Sequence, residues 1–459
     1  MSIDSPSPAP APDSGGFLFR LLRRMVEVEP HEVRALGWSW LYFFAVLSAY
    51  YVIRPIRDEM GVAGGVSNLP WLFTGTMIGM MLVNPPFAAL VSRLPRIRFV
   101  SIAYRFFAGN LVLFFVLLQV GSEAQNIWIG RIFYIWSAVF NLFVVSVFWS
   151  FMTDLFSRGQ GLRLFGFISA GGTLGGIAGS SLTATLVGHI GPTYLLLVSV
   201  ALLEVAGLSV RQLSRLSENL RTRRQATQQE EVIGGSAVAG IAHAFSSTYL
   251  LNISAFMLLY TILSTFLYFQ QASLVEATMT DRAVRTAFFA RVDLLVNVLT
   301  LAAQIFLTAR TLKSLGVALS LAALPIMSAA GFLALSLWPT VAAVVWFQVL
   351  RRAGNFAITQ PSRQMLFTVL SREDRYKAKN FIETFIYRAG DQIGAWSYAL
   401  MGYFSLGVAG TALVAVPISL VWLLNSLWLG RRQEKLSASL ASVTPATPEA
   451  QPAPLAAGD

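Results

Sequence analysis

Twelve long apolar stretches, separated by polar connections, constrain the fold of this chain more than any other feature. A helix that crosses the roughly 30 Å hydrocarbon core of a bilayer needs about 20 apolar residues, and the stretches have lengths near that value. The sequence therefore predicts twelve membrane-spanning helices, spans 1 to 12, at residues 36–53, 69–91, 99–120, 127–150, 164–188, 192–210, 248–270, 286–308, 315–335, 340–360, 380–402 and 407–429.

Basic residues fill every second connection between the spans, and the other connections are nearly free of them. Cytoplasmic loops of membrane proteins carry an excess of Lys and Arg, so the alternation predicts that both termini are cytoplasmic. Most of the net charge of +11 reflects this topology, which predicts membrane lipids with anionic head groups as partners and no nucleic acid. The basic connections contain Arg93, Arg96 and Arg98, then Arg158 and Arg163, then residues 211–224, then Arg310 and Lys313, then residues 363–379.

The composition excludes an ordinary soluble protein. Charged residues make up 12% of the chain, against about 25% in soluble globular domains. The chain has no Cys, which excludes disulfides and thiolate metal sites, and its 3 His residues are scattered, so we expect no metal and no cofactor. The polar, Pro-rich start differs from a signal peptide. We therefore expect span 1 to be retained in a multi-pass protein of the bacterial cytoplasmic (inner) membrane.

The longest basic connection divides the spans into six plus six. This is the layout of major facilitator transporters, whose two six-helix halves rock about a central site. The predicted fold is thus an all-α polytopic membrane protein of the major facilitator type. Its predicted regions are a disordered N-terminal tail at 1–35, a six-helix bundle at 36–210, a cytoplasmic linker at 211–247, a second six-helix bundle at 248–430 and a disordered C-terminal tail at 431–459.

Two local patterns add detail to this layout. Residues 17–29 (FLFRLLRRMVEVE) alternate apolar and basic positions, which fits an amphipathic helix in the membrane interface or, equally, a solvated extension of span 1. In span 5, Gly171, Gly175 and Gly179 recur every four residues. Small residues at this spacing let helix backbones approach closely in lipid, so we expect them to pack the two halves together. No Walker lysine follows them, which disfavours a phosphate loop.

Ionisable residues inside membrane helices are costly and are candidates for function. Span 1 ends in YYVIRPIRDEMG, where Pro55 is expected to break the helix. Arg54, Arg57, Asp58 and Glu59 lie at this outer end. They fit a substrate or gating site and, equally, an interfacial network of ion pairs.

Spans 4 and 8 carry polar stripes at helical spacing. Arg131 opens span 4 and is followed by Tyr134, Ser137 and Asn141. In span 8 the predicted stripe contains Asp293, Asn297 and Gln304, with Arg291 close by.

Spans 10 and 11 carry further charges. Arg351 and Arg352 are adjacent and point about 100° apart, so we expect one of them to belong to an internal salt bridge. In span 11, Arg388 and Asp391 have the spacing of a pair along a helix. Glu383 and Asp391 are candidate carriers of a coupling proton, and a static ion network that gates the halves is the alternative.

All basic residues inside the spans are arginines, and they outnumber the acids. A planar guanidinium that keeps its proton suits phosphate and carboxylate recognition. The predicted substrate is therefore a small organic anion. The predicted substrate-binding or gating residues are Arg54, Arg57, Arg131, Asn141, Arg291, Asn297, Arg351 and Arg388, and the predicted coupling or counter-ion residues are Asp58, Asp293, Glu383 and Asp391.

Three segments resemble the ATP/ADP translocase family of nucleotide transporters and its bacterial major-facilitator relatives. YYVIRPIRD is similar to the first-helix motif of that family, with Arg54, Arg57 and Asp58 at its Arg, Lys and Asp positions. SVFWSFMTDLFSRGQGLRLFGFISAGGTLG is similar to the stretch that flanks its helices 4 and 5. PSRQMLFTVLSREDRYKAKNFIETFIYRAGD is similar to the block before helix 11, with Arg363, Lys377 and Lys379 at Lys positions and Glu383 near an Asp.

The sequence departs from that family at several positions. Acids in helices 4 and 7 belong to the transport path of the nucleotide carriers, whereas Ser137 and residues 268–271 provide no carboxylate here. Asp391 stands where the family has a basic residue. The resemblance therefore implies the fold and the transporter class more than it implies nucleotide specificity.

Together these features predict a secondary transporter that works by alternating access. Nucleotides or other phosphorylated solutes are the first substrate class, and the driving force is either antiport or coupling to protons. The alternative is a non-transporting membrane scaffold or sensor that keeps the fold. An enzyme is not expected, because the chain carries no HExxH, no GxSxG and no useful carboxylate dyad, and therefore no candidate catalytic residues.

Overall fold

The computed structural model describes residues 26–93, 96–221, 247–370, 378–379 and 381–443. The regular secondary structure of these residues is helical, with no β-strand among them, which confirms the all-α fold class. Most of the two predicted tails, the predicted interfacial helix and the central part of the linker lie outside the described residues.

The structure contains α-helices and three short helical segments of other types. These segments are a 3₁₀ turn at Val66–Asn68 and π-helical turns at Asn355–Thr359 and Ile382–Ile386. The α-helices are α1 (Val33–Ala63), α2 (Leu69–Arg93), α3 (Arg96–Val120), α4 (Glu123–Leu155), α5 (Arg158–Arg221), α6 (Thr248–Thr278), α7 (Arg282–Phe306), α8 (Thr308–Leu337), α9 (Val341–Gly354), α10 (Gln360–Leu366), α11 (Tyr387–Tyr403) and α12 (Val408–Val443).

Several helix ends differ from the predicted span ends. α1 continues through Pro55 to Ala63, so the expected break at this proline is wrong. Proline is tolerated inside membrane helices because nearby groups satisfy the freed backbone carbonyl. α12 runs to Val443, so residues 431–443 of the predicted C-terminal tail are helical. Gly191, whose φ of 79° is left-handed, divides the long α5 into two helical segments next to Pro192.

Nine helices among the described residues are long and apolar enough to cross a membrane. Spans 10 and 11 are not among these nine, because π-helical turns interrupt them and leave α-helices of 14 and 17 residues, α9 and α11. The predicted count of twelve spans therefore stays a prediction.

The chain forms two compact units, each with its own hydrophobic core. Phe133, Phe140 and Phe148 are fully buried in the core of unit 1, and Phe256 and Trp422 are fully buried in that of unit 2. The predicted domain boundaries remain predictions. Unit 1 contains Met1–Met60, Ile78–Glu230 and Asp281–Leu294, and unit 2 contains Gly61–Met77, Glu231–Thr280 and Leu295–Asp459.

The glycine stripe of α5 packs against the backbone of α1 inside unit 1. A Cβ atom at Gly171 would lie 2.8 Å from the carbonyl oxygen of Trp40, and one at Gly175 would overlap that of Phe44. Ser48 Oγ donates a hydrogen bond to the Gly175 carbonyl at 3.1 Å. The expected close approach of backbones is present. The expected partner is wrong, because spacing along a helix identifies a packing face but not the helix that covers it.

We predict that Gly175→Val destabilises the folded protein by about 3 kcal/mol or more, because the new side chain meets backbone that cannot rotate away. Thermal unfolding of the purified protein in detergent measures the effect. Gly188→Val is the matched control on the same helix, since no heavy atom lies within 4 Å of a Cβ built there. Equal melting temperatures for the two variants would contradict the close packing of α1 and α5.

Candidate functional site

Polar and charged side chains collect in two clusters, one inside each unit. The unit 1 cluster lies where the end of α1 meets the start of α7, next to α4. The unit 2 cluster lies among α6, α8, α9, α10, the π-helical turn Ile382–Ile386 and α11. The unit 1 cluster consists of Arg54, Arg57, Asp58, Glu59, Tyr134, Arg282, Arg285 and Asp293. The unit 2 cluster consists of Tyr260, Ser264, Thr265, Ser328, Arg351, Arg363, Gln364, Glu383, Arg388 and Asp391.

Arg54 and Asp293 form an ion pair in the unit 1 cluster. Arg54 Nε lies 3.5 Å from Asp293 Oδ2, and the Asp293 side chain is only 3% exposed. The Arg54 guanidinium also lies over the Tyr51 ring, 5.7 Å from its centroid. A buried carboxylate needs such a partner to offset its lost hydration. Asp293 and Arg54 thus compensate each other's charge, and their predicted roles in coupling and gating stay predictions.

Arg57 binds its sequence neighbour. Its Nη2 lies 2.6 Å from Asp58 Oδ1, and its guanidinium lies over the ring of Tyr134 at 5.2 Å from the centroid. Arg131, one turn before Tyr134 on α4, lies over the Trp128 ring at 4.5 Å. The structure thus joins the predicted stripe of α4 to the end of α1 through Tyr134.

Glu59 is the centre of a network that the sequence reasoning missed. Its side chain is fully buried, and its carboxylate accepts from Arg285 Nη2 at 3.1 Å and from Arg282 Nε at 3.4 Å. Arg282 and Arg285 lie between predicted spans 7 and 8, so their place in the sequence does not distinguish them from ordinary loop residues. Their spacing at the start of α7, which places both on one face, was the available signal.

Asp391 is the buried acid of the unit 2 cluster. Arg388 Nη1 donates to Asp391 Oδ2 at 3.2 Å, which confirms the predicted pair along the helix. Thr265 Oγ1 on α6 donates to Asp391 Oδ1 at 3.4 Å. Close approach of α11 to α6 is possible because Gly394 has no side chain: a Cβ there would lie 3.1 Å from the Ile262 Cα.

Glu383 lies in the π-helical turn Ile382–Ile386 and is 30% exposed. Its Oε1 accepts from Gln364 Nε2 at 3.0 Å and lies 3.7 Å from Arg363 Nη2. This carboxylate is thus partly exposed, with one hydrogen-bond donor and one ion-pair partner on α10.

Arg351 is buried among neutral groups. It donates to Ser264 Oγ at 2.8 Å, to Ser328 Oγ at 3.1 Å and to the Tyr260 carbonyl at 3.2 Å. Its guanidinium also lies over the Tyr260 ring at 5.3 Å. Within the described part of the chain no carboxylate contacts Arg351. The salt bridge expected for one of the two adjacent arginines is therefore not made by Arg351.

Four predicted polar residues lie outside these contacts. Arg291 is exposed, because two residues along a helix turn it to the opposite side from the buried Asp293. Gln304 is also exposed, as are Ile305 and Phe306 after it, so the predicted single-face stripe is wrong at this position. Asn297 is buried, and Asn141 is partly buried two turns beyond Tyr134.

A separate ion pair fixes the start of α1. Glu32 Oε1 accepts from Arg163 Nη2 at 3.0 Å and from Gln160 Nε2 at 2.8 Å, and both donors lie in the first turns of α5. Burial opposes ionisation of Glu32. The Glu29 backbone N–H, the Gln160 amide and the charge of Arg163 outweigh it and hold the pKa of Glu32 below its usual value.

Comparisons with known proteins agree with this architecture. No family model matches the chain. ADP,ATP carrier protein 2 of Chlamydia pneumoniae is 21% identical over 475 residues, which cover 85% of this chain and 87% of the carrier. A POT family transporter solved with a thioalcohol-conjugated peptide has a TM-score of 0.60 at 10% identity, covering 88% of this chain and 97% of the transporter. The nucleoside transporter NupG has a TM-score of 0.53 at 14% identity, covering 89% and 99%.

These comparisons confirm the resemblance to the ATP/ADP translocase family and its major-facilitator relatives. The solved structures show the fold, which is of the major facilitator type. The carrier relative spans most of both chains, and together with the apolar helices it supports a multi-pass membrane transporter.

We predict that Glu59→Gln destabilises the protein by about 3 kcal/mol, because it leaves two guanidinium groups without the buried carboxylate. Thermal unfolding in detergent measures the effect, with Glu204→Gln as the control for an exposed acid. Adding Arg285→Ala to Glu59→Gln should restore part of the loss, because the pair is coupled. Strictly additive effects would contradict the network.

Proposed function

We propose that this protein is a secondary active transporter that moves an organic anion across the bacterial cytoplasmic membrane by alternating access. Nucleotides and other phosphorylated solutes are the first substrate class. The observation that carries the proposal is the buried Arg351, whose described contacts are all neutral. The relative from Chlamydia pneumoniae is named as an ADP,ATP carrier, which supports nucleotides as the substrate class.

A buried cation without a carboxylate is costly. Removing a charge from water costs several kcal/mol unless a counter-charge or good hydrogen bonds replace the hydration. An Arg side chain has about five N–H donors, and three of those of Arg351 have described acceptors. The remaining donors and the net positive charge suit one oxyanion, which a guanidinium binds strongly.

Two Arg–acid pairs of the unit 2 cluster support this assignment. Arg388 is 35% exposed and bound to Asp391, and Arg363 is 11% exposed and lies near Glu383. Partly exposed guanidinium groups can exchange a carboxylate for a substrate anion. Asp391 and Glu383 then become the acids that hold a coupling proton in the proton-coupled mode, or the counter-ions that return to the arginines in the antiport mode.

The positions where the nucleotide carriers have acids are neutral and internally bonded. Ser137 is fully buried and donates to the Tyr134 carbonyl at 2.9 Å. Gln270 is fully buried, and its Nε2 donates to Thr411 Oγ1 at 3.1 Å. These positions carry no charge that would select an adenine nucleotide, so substrate tests should include phosphorylated solutes beyond ATP and ADP.

We predict that purified protein in proteoliposomes exchanges an internal phosphorylated anion for the same labelled anion outside. Uptake that requires internal solute indicates antiport, whereas uptake that follows an imposed pH gradient in empty vesicles indicates proton coupling. Binding of another anion without nucleotide counterflow would exclude the nucleotide class. A folded protein that moves none of these solutes would favour the alternative of a scaffold or sensor.

We predict that Arg351→Met lowers anion transport at least 100-fold and leaves the melting temperature equal or higher, because an apolar side chain of similar length removes a buried charge. Transport rates in proteoliposomes and thermal unfolding measure the two effects. Arg215→Met, at an exposed position on α5, is the matched control. Transport at the wild-type rate with Arg351→Met would remove Arg351 from the substrate site.

A further inference from the structure

A cavity of about 880 Å³ lies in unit 2 beside the C-terminal half of α12. It is separate from both polar clusters, since none of their residues line it. Its walls come from the start of α6, from the segment after α10 and from Leu424 to Leu436 of α12. The lining includes Tyr249, Leu370, Trp428, Arg431, Arg432 and Lys435. We infer that this cavity binds the head group of an anionic phospholipid.

The charge of the cavity is strongly positive. Arg431, Arg432 and Lys435 lie on neighbouring turns of α12, and all three are exposed. No Asp or Glu is among the described residues that line it. Glu434, the nearest acid on the same helix, is engaged elsewhere, since its Oε1 accepts from the Ala318 backbone N–H at 3.2 Å. Among the described contacts none of these three cations pairs with an acid, which leaves their charge for a bound anion.

The start of α6 adds to this positive potential. Ser247 and Thr248, which line the cavity, are the N-cap and the first residue of the helix. The N-terminus of a helix carries a partial positive charge from its aligned peptide dipoles. Side-chain cations and a helix dipole thus lie around one opening, an arrangement that favours a phosphate group.

The apolar wall distinguishes a lipid from a soluble anion. Leu424, Leu427 and Trp428 precede the cations on α12, and Leu424 is 68% exposed and Trp428 41% exposed. Tryptophan prefers the membrane–water interface, and basic residues directly after a membrane helix attract anionic lipids. The order of residues along α12 thus matches the parts of a phospholipid. The leucines lie at the level of the acyl chain, Trp428 at the interface and the three cations at the head group. A free phosphate would leave the exposed apolar wall without a partner.

Lipid binding at this cavity can be tested with the full-length purified protein in detergent. The measurements are native mass spectrometry of bound lipid and the rise in melting temperature on adding phosphatidylglycerol, with phosphatidylcholine as the neutral lipid. We expect phosphatidylglycerol to bind and stabilise the wild type. In the triple variant Arg431→Gln, Arg432→Gln, Lys435→Gln, its effect should fall to that of phosphatidylcholine.

The controls separate this site from general attraction to basic surfaces. The double variant Arg211→Gln, Arg215→Gln removes exposed charges from α5 and should keep the phosphatidylglycerol effect. If the triple variant does not fold, Lys435→Gln alone should weaken lipid binding about five-fold. The proposal would be overturned if the variants of Arg431, Arg432 and Lys435 bound the lipid as well as the wild type. An equal loss of binding in the α5 variant, or the same stabilisation by inorganic phosphate alone, would overturn it too.

Discussion

The contact between the glycine face of α5 and the backbone of α1 is the interaction on which the unit 1 cluster depends. α1 carries Arg54, Arg57, Asp58 and Glu59 on its last turns, so its position determines where four charges lie. Backbone-to-backbone packing leaves little freedom to slide, since Ser48 bonds to the Gly175 carbonyl at the contact. The pair of Glu32 with Arg163 ties the same two helices together at their N-terminal ends.

The two clusters treat charge in different ways. In unit 1, the buried acids Glu59 and Asp293 each lie against arginine, so the charges largely compensate one another. In unit 2, Arg351 is compensated by hydrogen-bond acceptors and an aromatic ring, and the partly exposed Arg388 shares the buried Asp391 with Thr265. Compensated charge suits a structural or gating role. Charge balanced only by neutral groups suits a ligand that brings its own negative charge.

The sequence predicted those features that depend on residues close together along the chain. The apolar stretches predicted the helices, and the pairing of Arg388 with Asp391 followed from three-residue spacing. The partners of Glu59 could not be predicted, because they lie on another helix more than two hundred residues away. The glycine stripe had the same limit. Periodicity gives the face of a helix, whereas the partner of that face depends on the packing of the whole unit.

The π-helical turn Ile382–Ile386 fixes the azimuth of everything that follows it in α11. A π-turn holds one residue more than an α-turn, so later side chains are rotated by about 100° and set back by about 1.5 Å from their places on an uninterrupted helix. On an ideal helical wheel, Arg388 and Asp391 would therefore be drawn one position away from their true direction. The backbone geometry at Glu383 and its neighbours, about one turn earlier in the chain, therefore determines the direction in which Arg388 and Asp391 point.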